Sequence, residues 1–108
     1  MTLSTHVLDT ALGRPASGVA VTAAVRKGDT WVLVGKGATD GNGRVADLLD
    51  GEPLEAATYR ITFATGAYLG STAFYPEVVI TLRVTAPGEH HHIPLLLSPH
   101  GYTTYRGS

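Results

Sequence analysis

The stretch VAVTAAVRK at residues 19–27 decides the fold. Side chains of a strand alternate between its two faces, so Val19, Val21, Ala23 and Val25 share one face. A period of two over this length marks a half-buried strand. The same alternation recurs on either side. In ATYRITF (57–63), Tyr59, Ile61 and Phe63 oppose Arg60 and Thr62, and in EVVITLRV (77–84), Val78, Ile80, Leu82 and Val84 oppose Thr81 and Arg83. No window carries a long period of 3.6, so these read as antiparallel strands with one buried face.

Turn chemistry punctuates the alternation. KGD before Trp31, TDGNGR at 39–44, DGEP at 50–53 and APGE at 86–89 carry glycine or proline where the backbone needs positive or fixed φ. Strands are expected near 3–9, 18–26, 30–38, 44–47, 57–64, 78–85, 90–97 and 101–106, with one short, glycine-broken helix within ATGAYLGSTA (64–73). Short strands at such spacing make an all-β sandwich. The chain has 108 residues, the usual size of one domain, and shows no repeat, linker or low-complexity tract, so residues 1–108 read as a single unit.

Composition narrows the function classes. The net charge is -1, with two lysines and scattered arginines, which is no footprint for nucleic acid or an anionic membrane. The absence of cysteine removes disulfides, thiolate nucleophiles and cysteine zinc sites together. Neither a signal segment nor a window near the roughly 18 apolar residues of a membrane span is present, so a cytoplasmic location is the expectation. A domain of this size buries only about 65% of its unfolded surface, which keeps self-association open.

Three places carry candidate chemistry. In EHHHIP (89–94), His90 and His92 point to one face of a strand and His91 to the other; the pair reads as a solvated strand start, or as two zinc ligands in want of a third. His6, in STHVLD (4–9), is a lone strand histidine, and neutral imidazole accepts protons well at pH 7. Arg44 projects from the end of the TDGNG turn, which lacks the Lys-Ser/Thr and the helix of a phosphate loop. No serine sits in a G-x-S-x-G elbow. Singly, each of these is satisfied by a structural reading.

Together, STHVLD, TDGNGR, the segment from Leu8 to Ala16, FYPEV (74–78) and the ending HHIPLLLSPHGYTTYRGS (91–108) resemble the 5-hydroxyisourate hydrolases, transthyretin-related enzymes of urate degradation. The tetrapeptide YRGS is the most specific element, since it separates the enzymes from the hormone carriers of the same fold. The resemblance implies a transthyretin-like antiparallel β-sandwich with one short helix, assembled as a homotetramer, a dimer of dimers, with sites in the clefts between dimers. It implies hydrolysis of 5-hydroxyisourate without cofactor or metal. It makes His6, Arg44 and His92 the catalytic group, and it places Tyr105, Arg106, Gly107 and Ser108 with His6 and Arg44 along the substrate. His91 and His100 stand where relatives commonly carry aromatic residues. A transthyretin-like carrier, a structural β-sandwich module and a metal hydrolase using His90 and His92 are the competing readings.

Overall fold

A computed structural model describes residues 2–107; Met1 and Ser108 lie outside the described residues. Among the described residues, nine strands form two sheets. β1 (Leu3–Asp9), β2 (Arg14–Pro15), β5 (Arg44–Val45), β8 (His91–Ser98) and β9 (Gly101–Thr104) make the first sheet, in the order β2-β1-β8-β9 with β5 also paired to β1. β3 (Ala20–Lys27), β4 (Thr30–Ala38), β6 (Ala57–Phe63) and β7 (Val78–Val84) make the second, in the order β4-β3-β6-β7.

The alternation in sequence becomes burial. Val19, Val21, Ala23 and Val25, with Tyr59, Ile61 and Phe63, are all buried in one hydrophobic cluster. Opposite them the first sheet presents Leu3 and Val7 from β1 and Ile93, Leu95 and Leu97 from β8. Each such side chain taken wholly out of water contributes about 1.5–3 kcal/mol. Val78 and Val84 are buried as well, whereas Ile80 and Leu82 between them are only half-buried. The expected short helix is α1 (Thr65–Leu69), followed by a 3-10 turn over Gly70–Thr72.

Several details differ from the sequence-based expectation; among them, the strand expected at 44–47 ends at Val45. The central pair β1–β8 is parallel, from Leu3↔His91 to Asp9↔Leu97, whereas every other ladder is antiparallel. Residues 14 and 15 add the short strand β2 to β1, where no strand is expected. β9 ends at Thr104 instead of running to 106. The register explains this stop: Leu95 faces Thr104, so residue 105 falls opposite Pro94, which has no N–H to donate. Thr104 Oγ1 donates to the Pro94 carbonyl at 2.7 Å. The hairpin resumes in unchanged register where Gly107 N donates to His92 O at 2.8 Å.

No helix among the described residues is long and apolar enough to cross a membrane.

Candidate active site

β1 sorts its side chains by parity. Leu3, Thr5, Val7 and Asp9 are buried, while His6 and Leu8 are half-buried and belong to the opposite, outer face. Ser4 shares that outer parity and is 7% exposed. On β8 the same parity places His92 and Leu96 outward and Ile93, Leu95 and Leu97 inward. Register then fixes the neighbours: Ser4 pairs with His92 and His6 with Pro94 across the parallel ladder, and His6 pairs with Arg44 across β1–β5. The three residues of the expected catalytic group, His6, Arg44 and His92, thus share the outer surface of the first sheet.

Arg44 reaches this place through the glycine turn. Asp40 Oδ1 accepts from the backbone N–H of Asn42 at 2.8 Å and of Arg44 at 3.0 Å, which closes the loop at its polar end. Those bonds, with the nearby charges of Arg44 and His6, hold the Asp40 carboxyl below the usual carboxylate range. Gly43 has φ of 75°, and its carbonyl accepts from Val7 N at 2.7 Å. A Cβ there would stand 2.4 Å from the Val7 carbonyl oxygen. Only glycine lets the turn lie against β1 this closely, so β5 docks with Arg44 beside His6.

His92 is the most constrained member. Ser4 Oγ lies 2.7 Å from its Nδ1 and 3.0 Å from Nε2 of His90, and the two imidazoles are nearly parallel at 6.3 Å between centroids. His90 Nδ1 in turn bonds the Thr2 hydroxyl. Partial burial lowers the His92 pKa from the ordinary imidazole value, and the charges of His6, His90 and Arg44 push it the same way. His92 is therefore neutral at pH 7. Behind the ring, Gly107 approaches so closely that a Cβ on it would meet His92 Cδ2 at 2.5 Å.

The ending of the chain accordingly returns to the histidine, as its sequence suggests, but its residues divide. Gly107 backs His92. Tyr105 and Arg106 line a recess of about 240 Å³ together with His91, His92, Ile80 and Leu82. Ser4, Arg44, His90 and His92 line a separate recess of about 220 Å³. Arg106 is held over its recess by an exposed ion pair to Glu89 at 3.2 Å. Ser108 falls outside the described residues.

Of the remaining imidazoles, His91 shares the larger recess with His92 and His100 lies in neither recess. His91 is buried on the inner side, its Nδ1 2.9 Å from the Glu89 carbonyl oxygen. His100 is exposed in the β8–β9 turn. Among the described residues no three His, Cys, Asp or Glu side chains form a group able to hold a metal. Ser4 and Asp40 are the positions sequence reasoning misses. For Ser4 the signal lies two residues before His6, on the same strand face.

A carbonyl with one water can be attacked here: a neutral imidazole to take a proton, a second imidazole, and a guanidinium free of ion pairs among the described residues.

Comparison with known proteins bears on the family and the fold. The 5-hydroxyisourate hydrolase of Salmonella typhimurium is 40% identical over 109 residues, covering 98% of this chain and 80% of that protein. The structure of Klebsiella pneumoniae 5-hydroxyisourate hydrolase superposes with a TM-score of 0.87 at 35% identity, covering 100% of both chains. Sea bream transthyretin in complex with thyroxine also gives a TM-score of 0.87, at 31% identity over 99% of this chain and 95% of that one. The fold alone therefore does not separate hydrolase from hormone carrier. The model of the HIUase/Transthyretin family matches residues 3–107, and the chain belongs to that family.

Proposed function

We propose that this protein hydrolyses 5-hydroxyisourate to 2-oxo-4-hydroxy-4-carboxy-5-ureidoimidazoline in urate degradation, and that residues 1–108 act as one hydrolase domain. The observation that carries the reading is the placement of His92 on one sheet face with His6 and Arg44. A carrier has no use for such a group; relatives bearing the hydrolase name span nearly the whole chain.

His92 is the base. Its free Nε2 takes a proton from water as the oxygen adds to the ring carbonyl carbon, and the depressed basicity that keeps it unprotonated at pH 7 suits that task. Arg44, always charged and forked, stabilises the oxyanion and holds the urate-like oxygens. His6 orients the water. A proton then returns to the ring nitrogen as the C–N bond breaks. Tyr105, Arg106, Gly107 and Ser108 complete the wall that positions the ring, and no cofactor is required.

The site lies on an outward sheet face, open in one chain. Water exclusion strengthens each charge interaction, so a homotetramer, a dimer of dimers whose second copy covers this face, is part of the proposal. A cytoplasmic location belongs to it too, and follows only from the metabolic role.

The test is the ultraviolet decay of 5-hydroxyisourate generated freshly with urate oxidase, with and without the protein. Acceleration over the spontaneous decay supports the reading. A folded protein that leaves the decay unchanged yet binds thyroxine would move it to the carrier side of the family.

A further inference from the structure

We propose that Ser4 and His90 form a proton relay behind His92, so that the base is never left holding the charge it takes from water. The proposal rests on the hydrolase reading above. It is carried by a continuous chain of hydrogen-bonding atoms that the three residues of that reading do not explain: Ser4 Oγ sits 2.7 Å from His92 Nδ1 and 3.0 Å from His90 Nε2, and the Thr2 hydroxyl bonds the far nitrogen of His90.

A serine hydroxyl has one proton to donate. Between two imidazole nitrogens it therefore donates to one and accepts from the other, and it sets the two tautomers together. When Ser4 donates to His90, His92 carries its proton on Nδ1 and offers the Nε2 lone pair to water. When Ser4 donates to His92, the His92 proton is on Nε2 and the ring is a proton donor.

The two arrangements interconvert as the reaction proceeds. Water forms its oxygen–carbon bond and passes a proton to His92 Nε2. The Nδ1 proton of His92 moves to Ser4 Oγ, and the former Ser4 hydroxyl proton moves to His90 Nε2. His92 ends neutral in the tautomer that donates, and His90 holds the positive charge. As the carbon–nitrogen bond breaks, His92 gives its Nε2 proton to the leaving nitrogen and the other two protons retrace their steps. Water is thereby divided between the carbon and the nitrogen, and the protein returns to its starting state.

The surroundings explain why displacing the charge helps. The charged or titratable groups around His92 are His6 on β1, Arg44 on β5 and His90 just before β8, with Arg83, His91, Tyr105 and Arg106 along the recess that His92 also lines. A cation at position 92 would be half-buried beside Arg44, whereas His90 is exposed to water. Ser4 is 7% exposed, which shields the link from competing solvent.

The experiment compares Ser4→Ala, His90→Gln, the double variant and Ser4→Thr, all confirmed folded, with wild type and His92→Asn. A serial relay predicts that Ser4→Ala and His90→Gln each lower kcat by about 10–100-fold with KM nearly unchanged. It predicts that the double variant is no worse than Ser4→Ala, because one chain is broken once. Ser4→Thr, which keeps the hydroxyl, restores kcat to within about threefold of wild type. In ¹⁵N spectra His92 is protonated on Nδ1 in the resting protein and becomes a tautomer mixture in Ser4→Ala.

Full kcat in His90→Gln, or losses that multiply in the double variant, overturns the relay, and so does an unchanged His92 spectrum in Ser4→Ala. If wild type is active and His92→Asn is not, while the other variants match wild type, the relay alone fails. If wild type leaves 5-hydroxyisourate at its spontaneous rate, the hydrolase reading falls and the relay with it.

Discussion

At position 92 two demands meet: a base must be unprotonated at neutral pH, and its ring must not swing. Partial burial and the neighbouring charges of His6, His90 and Arg44 meet the first, by lowering the pKa. The acidic limb of kcat/KM is therefore expected below pH 6.5, the ordinary imidazole value. A limb at or above 6.5 in a pH–rate profile would remove His92 as the base. The same shift acts on stability. The unfolded chain takes up the His92 proton at a higher pH than the folded one, so this residue makes no demand at pH 8 and destabilises the fold as pH drops from 6.5 through the folded value. His92→Asn should lessen that acid loss in thermal melts while cutting turnover at least about 100-fold. Gly107 meets the second demand, because its missing Cβ leaves the 2.5 Å approach to His92 Cδ2 that any side chain would occupy. Gly107→Ala is expected to shift the ring and cost about 10–100-fold in kcat, since displacement near 1 Å has that effect. Gly107 is half-buried and holds a single bridge to β8, so calorimetry beside the assay separates lost stability from lost turnover.

Among the elements, the glycine turn and β5 show how a two-residue strand places Arg44, the arginine proposed for catalysis, beside His6. Gly43→Ala meets both a φ of 75° and the Val7 carbonyl at 2.4 Å. The expected loss is about 1–3 kcal/mol in chemical denaturation, with activity falling further because Arg44 leaves its place beside His6. Unaltered kcat in that variant would show that β5 does not aim the guanidinium. Strand positions such as Val19 to Val25 and Tyr59 to Phe63 were legible because burial of one sheet face writes itself into alternate residues. The parallel pairing of β1 with β8 was not, since alternation states which face is buried and nothing about which strand lies alongside. The two residues of β2 are too few to carry a period. Of the site, His6, Arg44 and His92 were visible through motif resemblance. Ser4 was hidden because a buried serine in a strand has no periodic or compositional mark, and its role exists only once β8 brings His90 and His92 to it.

For the whole molecule, covering the open site face by a second copy predicts that size-exclusion chromatography with light scattering gives four chains. It also predicts that specific activity falls on dilution to the concentration at which the tetramer dissociates. Constant activity in a demonstrated monomer would show that one chain suffices. The parallel β1–β8 ladder has a further consequence. It joins residues 3–9 to residues 91–97, so the central strand of the first sheet and its main neighbour stand at opposite ends of the chain. During synthesis, at roughly 5–20 residues per second, His6 leaves the ribosome several seconds before His92 exists. β3 can already pair with β4 and β6 with β7, the two pairs joined through β3–β6, while β1 has its short partners β2 and β5. The second sheet is thus complete in an unfinished chain, and the catalytic face is made last, by a long loop closure that slows folding. A ribosome that stalls before β8 releases a chain with one sheet formed and the proposed site unmade, so activity would certify that translation had passed residue 98.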